Sequence, residues 1–448
     1  MTSTADGVGF PPPSPGDAVG GIAHPSDPGG TAGPPGTDEG PERSFAGWRV
    51  VAGCFLVLAI NAGLAFYGLA VYLNAFSKEQ GWALGSISFA VTIFFVVGGL
   101  SGLVAARLIQ RFDVRAVIIA GGLIAGGSLA VVGQVTAQWQ LYLVYCVFAV
   151  GYAFAGLVPA TTVVTRWFHV KRSIALSVAS TGLSVGGIVI TPVAKRLIDD
   201  HQLAATTPWL GLFFAVSLIP VSLLLVRPDP VADGFAPDGA RLARGTRPPA
   251  ATGTPYADAL ADRFYRAITY GYVLTLGAQV GGIQQLVKLV EDRTDERTAQ
   301  FSITFLAATS VVARLVGGRL VTTVPMTTFT VVAAGLQAVA LAGIALSSSV
   351  VWIFGFIVVF GMTVGNLLMM QPLLIAERFG VLDYPRIFGR SQAIAIAGVA
   401  GGPLLIGWLH DVFGTYEVPY LAAAVLCLIG TGILALAGPA TVEGADTA

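Results

Sequence analysis

The first chemical signal in this sequence is a guanidinium in the middle of an apolar run. Arg314 stands between Ala307-Ala-Thr-Ser-Val-Val-Ala313 and Leu315-Val-Gly-Gly318. A cation placed in hydrocarbon costs from about 3 to well over 10 kcal/mol, depending on how far it snorkels, so it tends to face a watery cavity or a partner. Its planar fork suits a carboxylate better than the point charge of a lysine would. The competing reading is that Arg314 only reaches the membrane surface. Arg319 marks that surface, and five residues at about 1.5 Å each set Arg314 only about 7 to 8 Å deeper. Other polar or aromatic groups fall within apolar runs: Asn61, Tyr67, Tyr152, Gln279, Asn366, Gln371 and Gln392. Each either lines a cavity or hydrogen-bonds a neighbouring helix, which is worth about 0.6 kcal/mol on average.

Reaction chemistry is hard to place. His24, His169, His201 and His410 fall in loops or at helix ends, and no Ser/His/Asp or Cys/His arrangement, phosphate loop or metal-ligand spacing occurs. Cys54, Cys146 and Cys427 lie in apolar runs and read as small packing residues. An enzyme, a metal and a cofactor are all unexpected.

The elements that must hold these groups are membrane helices. The chain has 448 residues, of which 54% are hydrophobic and 11% charged, far from the quarter charged of a soluble domain. About twelve apolar segments are each long enough to cross roughly 30 Å of hydrocarbon. They lie near 48–75, 84–108, 114–136, 140–165, 171–198, 209–226, 264–290, 299–321, 326–347, 350–376, 387–410 and 418–438, and are called spans one to twelve. Pro159, Pro192, Pro372 and Pro403 fall inside spans, where they kink helices. Residues 1–44 are rich in Pro and Gly and predict a disordered cytoplasmic tail. Residues 227–262, with six prolines, predict a linker between residues 45–226 and 263–439, and 440–448 form a short tail. Placing the N-terminus in the cytoplasm puts eighteen Lys and Arg on that side against six on the other, so both termini are expected inside. Formal net charge is zero, and no basic block points to nucleic acid.

The two sets of six spans echo each other. Span two ends Gly102-Leu-Val-Ala-Ala-Arg107-Leu and span eight ends Arg314-Leu-Val-Gly-Gly-Arg319-Leu. Span five carries Arg172-Ser173, Gly182 and Gly186-Gly187; span eleven carries Arg390-Ser391, Gly398 and Gly401-Gly402. In span five, Ala175, Ala179, Gly182 and Gly186 form a small-residue stripe that invites close packing of a neighbouring backbone.

Span five begins with the basic stretch Arg166-Trp-Phe-His-Val-Lys-Arg172. Trp167, Phe168, Lys171, Arg172, Ala175, Ala179, Gly182 and Gly186 together resemble the fifth-helix signature of monocarboxylate transporters in the major facilitator superfamily. Leu108-Ile-Gln110-Arg111-Phe-Asp113-Val-Arg115 resembles the superfamily's loop that latches the two halves. There Gln110 stands in place of the acid and Asp113 in place of the glycine. The resemblance implies an all-α membrane protein of twelve helices in two pseudo-symmetric six-helix bundles. It also implies a latch drawing on Arg107, Arg111, Arg115, Lys171 and Arg172.

Arg314 resembles the helix-eight arginine that monocarboxylate transporters and oxalate:formate antiporters use for the substrate carboxylate, and Tyr67 matches an aromatic lining the antiporter site. Ser310 stands where proton-linked members carry an aspartate, Gly68 where they carry a lysine, and span eleven offers Gln392 where the antiporters carry a second cation. One guanidinium suits one carboxylate. The expected function is therefore secondary active or facilitated transport of a small organic anion, a monocarboxylate before oxalate, by alternating access, with exchange for a counter-substrate or facilitated transport favoured over proton symport. The expected setting is a monomer in the plasma (inner) membrane, with the lipid bilayer as its other partner. Two rivals stand beside it: an exporter of amphipathic drugs or metabolites, and a non-transporting membrane sensor.

Overall fold

A computed structural model describes residues 45–82, 84–242 and 252–440. The expectations for the tails at 1–44 and 441–448, and for the middle of the linker, lie outside these residues. Twelve helices in the described chain are long and apolar enough to cross a membrane, and the chain is an all-α, multi-pass integral membrane protein.

The spans run longer than hydrocarbon alone requires. Span one is Gly47–Gln80, span five Arg172–His201, span seven Arg263–Arg293, span ten Val350–Phe379 and span eleven Tyr384–Phe413. Their terminal turns carry Glu79, Asp199, Glu291, Glu377 and Asp411, acids that hydropathy alone places outside the membrane segments. Such ends are stabilised locally, as when the Glu79 carboxylate accepts the backbone N–H of Leu203, 3.0 Å away. Helix starts are marked by acidic caps: Asp113 accepts from Arg115 N, Asp262 from Phe264 N and Asp295 from Thr298 N, satisfying amides that have no partner inside their own helix.

Span four is broken at Ala155–Gly156, three residues before Pro159, and Pro192 follows a π-turn over Gly186–Ile190 in span five. Span one has its own π-turn at Ala62–Phe66. The two π-turns meet, and Thr191 Oγ1 donates to Gly63 O across them at 2.8 Å.

Close packing follows the small residues. Gly182 and Gly186 of span five lie directly on the backbone of Phe55 and Ala59 in span one, and Gly398 and Gly402 of span eleven lie on Val273 and Gly277 of span seven. A Cβ at any of the four would collide with main chain. The sequence echo thus becomes a repeated contact, span one with five and span seven with eleven. Spans two and four, three and six, and three and four are each mirrored by eight and ten, nine and twelve, and nine and ten.

Contacts between the first and last six spans join two to eleven and five to eight and ten. Gly99 meets Ile396, Ala106 meets Gly389, and Ser177 meets Gly318. From mid-span these contacts run to the end that carries Arg107, Arg172 and Arg319.

The linker between the sixes is anchored at both ends. Asp238, held at φ 63°, accepts the backbone N–H groups of His169, Val170 and Lys171 at 2.8 to 3.2 Å. Trp167 Nε1 donates to Arg227 O. Farther along, Thr254 N donates to Phe379 O and Val381 N to Thr252 O, ahead of the short helix Tyr256–Ala261.

Candidate functional site

Arg314 is 1% exposed. Its Nε donates to Gly365 O in span ten at 3.0 Å, and Nη1 donates to Ser180 O in span five at 2.5 Å. Ser177 Oγ donates to the Arg314 carbonyl at 2.9 Å. Small residues permit this: Gly365 lies against Ser310 one turn before Arg314, and Gly318 lies against Ser177. The head group turns inward to two main-chain carbonyls, not outward to the surface marked by Arg319. No Asp or Glu among the described residues pairs with it, and the Ser310 hydroxyl has no partner. A full charge is thus held by dipoles alone, and Nη2 donates to no protein group among the described residues.

Tyr67 lies within electrostatic range of Arg314 and of Tyr152. It is 39% exposed, and its ring rests on Gly187. Asn61 Nδ2 donates to Tyr152 O at 3.1 Å and leaves its own carbonyl oxygen unpaired. The structure therefore brings Arg314, Tyr67, Tyr152 and Asn61 into one neighbourhood, and it bends span one by a π-turn next to Tyr67. Insertions of this kind are frequent at functional sites.

None of the other four candidates is hydrogen-bonded to Arg314 among the described residues. Gln371 donates to Ser391 Oγ at 3.0 Å, and Ser391 is bonded to Thr269 Oγ1, so the three tie spans ten, eleven and seven together. Asn366 donates to Met362 O in its own helix and faces a groove between spans eight and nine. Gln279 and Gln392 keep unpaired carbonyl oxygens, but nothing bonds either to Arg314.

The latch differs from the expected set. Arg107 and Arg111 are exposed, and Arg115 pairs with Asp113 in its own loop at 2.7 Å. Burial works to raise the Asp113 carboxyl, but the hydrogen bonds and charge of Arg115 outweigh it and hold the group below its ordinary value. Lys171 contributes its backbone N–H to Asp238. Of the five latch candidates, Arg172 alone makes an ion pair between the sixes among the described residues, with Glu377 at 3.7 Å, while its Nε donates to Phe168 O.

The firmer closing bond is made by the residue that replaces the usual acid: Gln110 Nε2 donates to Asp383 Oδ1 at 2.8 Å. Asp383 also accepts from Tyr256 N at 3.0 Å, and Arg386 stacks on the Tyr256 ring at 4.3 Å. A neutral amide here keeps the contact without a carboxylate on span two. Sequence reasoning missed Ser180, Gly365, Asp383, Asp238 and Tyr256. The first two act through main-chain atoms, which leave no residue signature.

No group of three or more His, Cys, Asp or Glu that could hold a metal ion occurs among the described residues.

Residues 54–381 match the family model described as Major Facilitator Superfamily. The chain is 24% identical over 403 residues to monocarboxylate transporter 13 of Rattus norvegicus, covering 87% of this chain and 88% of that protein. Among solved structures it is similar to the E. coli fucose:proton symporter FucP, with a TM-score of 0.66 at 14% identity over 88% of this chain and 100% of that one. It is also similar to the human organic anion transporter MFSD10, with a TM-score of 0.65 at 16% identity over 87% and 99% of the two chains.

Proposed function

Because the chain belongs to the major facilitator superfamily, and is therefore a transporter and not an enzyme, we propose that it carries a small organic anion, a monocarboxylate first, with Arg314 holding the carboxylate. The observation that carries this reading is the buried guanidinium with no acid paired to it among the described residues. Gly365 O and Ser180 O take up Nε and part of Nη1. The edge formed by the remaining N–H of Nη1 and those of Nη2 is left for a guest, and that edge matches the two oxygens of one carboxylate. The relatives named as monocarboxylate transporters support the same class.

Transport proceeds by alternating access around this site. The contacts on the arginine-rich side support a molecule closed at that face, which we place in the cytoplasm together with both termini, in a plasma or inner membrane. To open that side, spans five and eight must part. The Nη1 bond to Ser180 O and the Ser177 bond to Arg314 O then break, and the guanidinium is freed into the cavity with its guest. Ser310, in the position of the proton-linked aspartate, leaves no carboxylate to carry a proton beside the site, which favours exchange against a counter-substrate. The division into residues 45–226 and 263–439 supplies the two rocking bodies.

The test is a panel of monocarboxylates, dicarboxylates and neutral isosteres read by thermal shift on the purified protein, followed by flux in proteoliposomes. A ligand at a hundred times its dissociation constant stabilises the folded state by about 2.7 kcal/mol. Monocarboxylates are expected to shift the melt and to be transported. If only neutral amphiphiles do so, the carboxylate reading fails and the exporter reading replaces it.

A further inference from the structure

A large hollow opens on the flank of span eight. Spans eight and nine stand apart over span ten and leave a groove of 880 Å³. Its walls are apolar: Phe305, Val312 and Val316 on one side, Val332 and Leu336 on the other, Met362 in the floor. Phe305, Val312, Val316, Val332, Leu336 and Met362 are all exposed. In a membrane protein such surfaces meet acyl chains. From Thr304 to Leu320 the groove follows about 24 Å of helix, longer than the roughly 15 Å of one leaflet's hydrocarbon, so a whole chain fits. Toward the arginine-rich end it continues into a second hollow of 670 Å³ that shares Val324, Thr328 and Val332.

Two polar features keep this from being a plain lipid-facing surface. Asn366 is 7% exposed and lines the groove. Its amide nitrogen bonds Met362 O, but its carbonyl oxygen, which lies over Gly317, has no partner. An acceptor left without a donor in hydrocarbon is costly. Beside the groove's end, Arg319 continues the exposed stripe of Val312 and Val316 at helical spacing. It is itself exposed, with no side-chain partner among the described residues. It lies about 3 Å along the axis from Gly317, so a free cation and a lone acceptor sit at one level, where a lipid head meets its chain.

We infer that this groove binds a phospholipid of the surrounding bilayer, with one acyl chain between spans eight and nine, an anionic phosphate at Arg319, and a hydroxyl of the head donating to Asn366 Oδ1. A zwitterionic choline lipid offers no hydroxyl and a weaker net charge, so the site discriminates between heads as well as holding a chain. The site also backs onto the transporter's interior, because Asn366 follows Gly365, whose carbonyl holds Arg314 Nε.

The experiment uses the full chain with Phe329, a residue of the groove wall, replaced as Phe329→Trp. It is reconstituted in phosphatidylcholine vesicles containing phosphatidylglycerol, with one lipid or the other brominated near the head end of its chains. Quenching of the added tryptophan is read against the parent protein. Brominated phosphatidylglycerol is expected to quench at several-fold lower mole fraction than brominated phosphatidylcholine. Adding Arg319→Gln or Asn366→Leu is expected to reduce that preference toward one while quenching by either lipid persists. Equal quenching by both lipids in the Phe329→Trp protein would reduce the groove to ordinary annular contact and overturn the proposal. So would an unchanged preference in both head-group variants, or no quenching by either lipid, the last meaning that a second copy or another protein fills the groove.

Discussion

Replacing Arg314 separates a substrate-binding cation from a structural one. In Arg314→Lys the charge stays, but a single ammonium cannot reproduce a planar fork that reaches Gly365 O at 3.0 Å and Ser180 O at 2.5 Å together. If it keeps one, the other bond from a charged donor is lost, at a cost of about 1.5 to 3 kcal/mol. Carboxylate binding loses one charge-assisted bond worth about 1.5 to 3 kcal/mol, a fall in affinity of roughly tenfold to a hundredfold. In Arg314→Gln the amide can still donate to one of the carbonyls. Carboxylate binding is expected to vanish while the empty protein melts higher, because a buried cation without a counter-ion has been removed. The assay is carboxylate binding and melting temperature for the three proteins at matched membrane abundance. Wild-type affinity in the glutamine variant would eliminate Arg314 as the anion site and with it the main reason for a carboxylate substrate. Full affinity in the lysine variant would show that charge alone matters and that the fork does not.

Three further outcomes follow from the same geometry. With Ser310 beside Arg314 and no acid paired to it, uptake in proteoliposomes is expected to rise several-fold with counter-substrate inside and little with an inward proton gradient; strong acid-driven accumulation without internal substrate would contradict this. Asp383→Ala removes the acceptor for Gln110 and Tyr256 N, and a net loss of about 1 to 2 kcal/mol shifts the population roughly fivefold to thirtyfold toward the open arginine-rich face. That shift is read as faster alkylation of Ser177→Cys by an impermeant maleimide added from that side, and an unchanged rate would remove the Gln110–Asp383 bond from the latch. Asp238→Ala deletes an acceptor for three backbone N–H groups before span five and is expected to cost about 1 to 2 kcal/mol. Asp238→Asn should cost less, since asparagine tolerates the left-handed backbone; identical melting of all three proteins would show that the linker's anchor carries no stability.

The spans were legible because hydrocarbon thickness sets a length that apolar runs report directly. The glycine stripes were legible because only backbone approach explains small residues at every third or fourth position, and Gly182 and Gly398 do sit on facing main chain. Helix ends were less so. Hydropathy falls where the hydrocarbon stops, but hydrogen bonding carries spans one, five, seven, ten and eleven through another turn, so Glu79 and Glu377 are helical although they read as loop. The partners of the latch residues were hidden for a different reason. The latch arginines are conspicuous in sequence, yet a charge at the water surface gains little from a partner. One hydrogen bond that crosses between the sixes joins Gln110 to Asp383, 273 positions apart, and no local pattern encodes that distance.

Arg314 shows both the reach and the limit of composition. Hydropathy finds the cation, and inspection of its span finds no acid, but neither determines how the charge is held. Main-chain carbonyls are present at every residue, so the choice of Ser180 O and Gly365 O appears only once spans five, eight and ten are packed. That choice matters for function. A carboxylate partner would cancel the charge and leave the site with no pull on an anion, whereas two carbonyl dipoles hold the guanidinium in place without neutralising it. Because one of those carbonyls lies across the divide between the first and last six spans, the guanidinium proposed for the anion is also bonded between the two sets of spans.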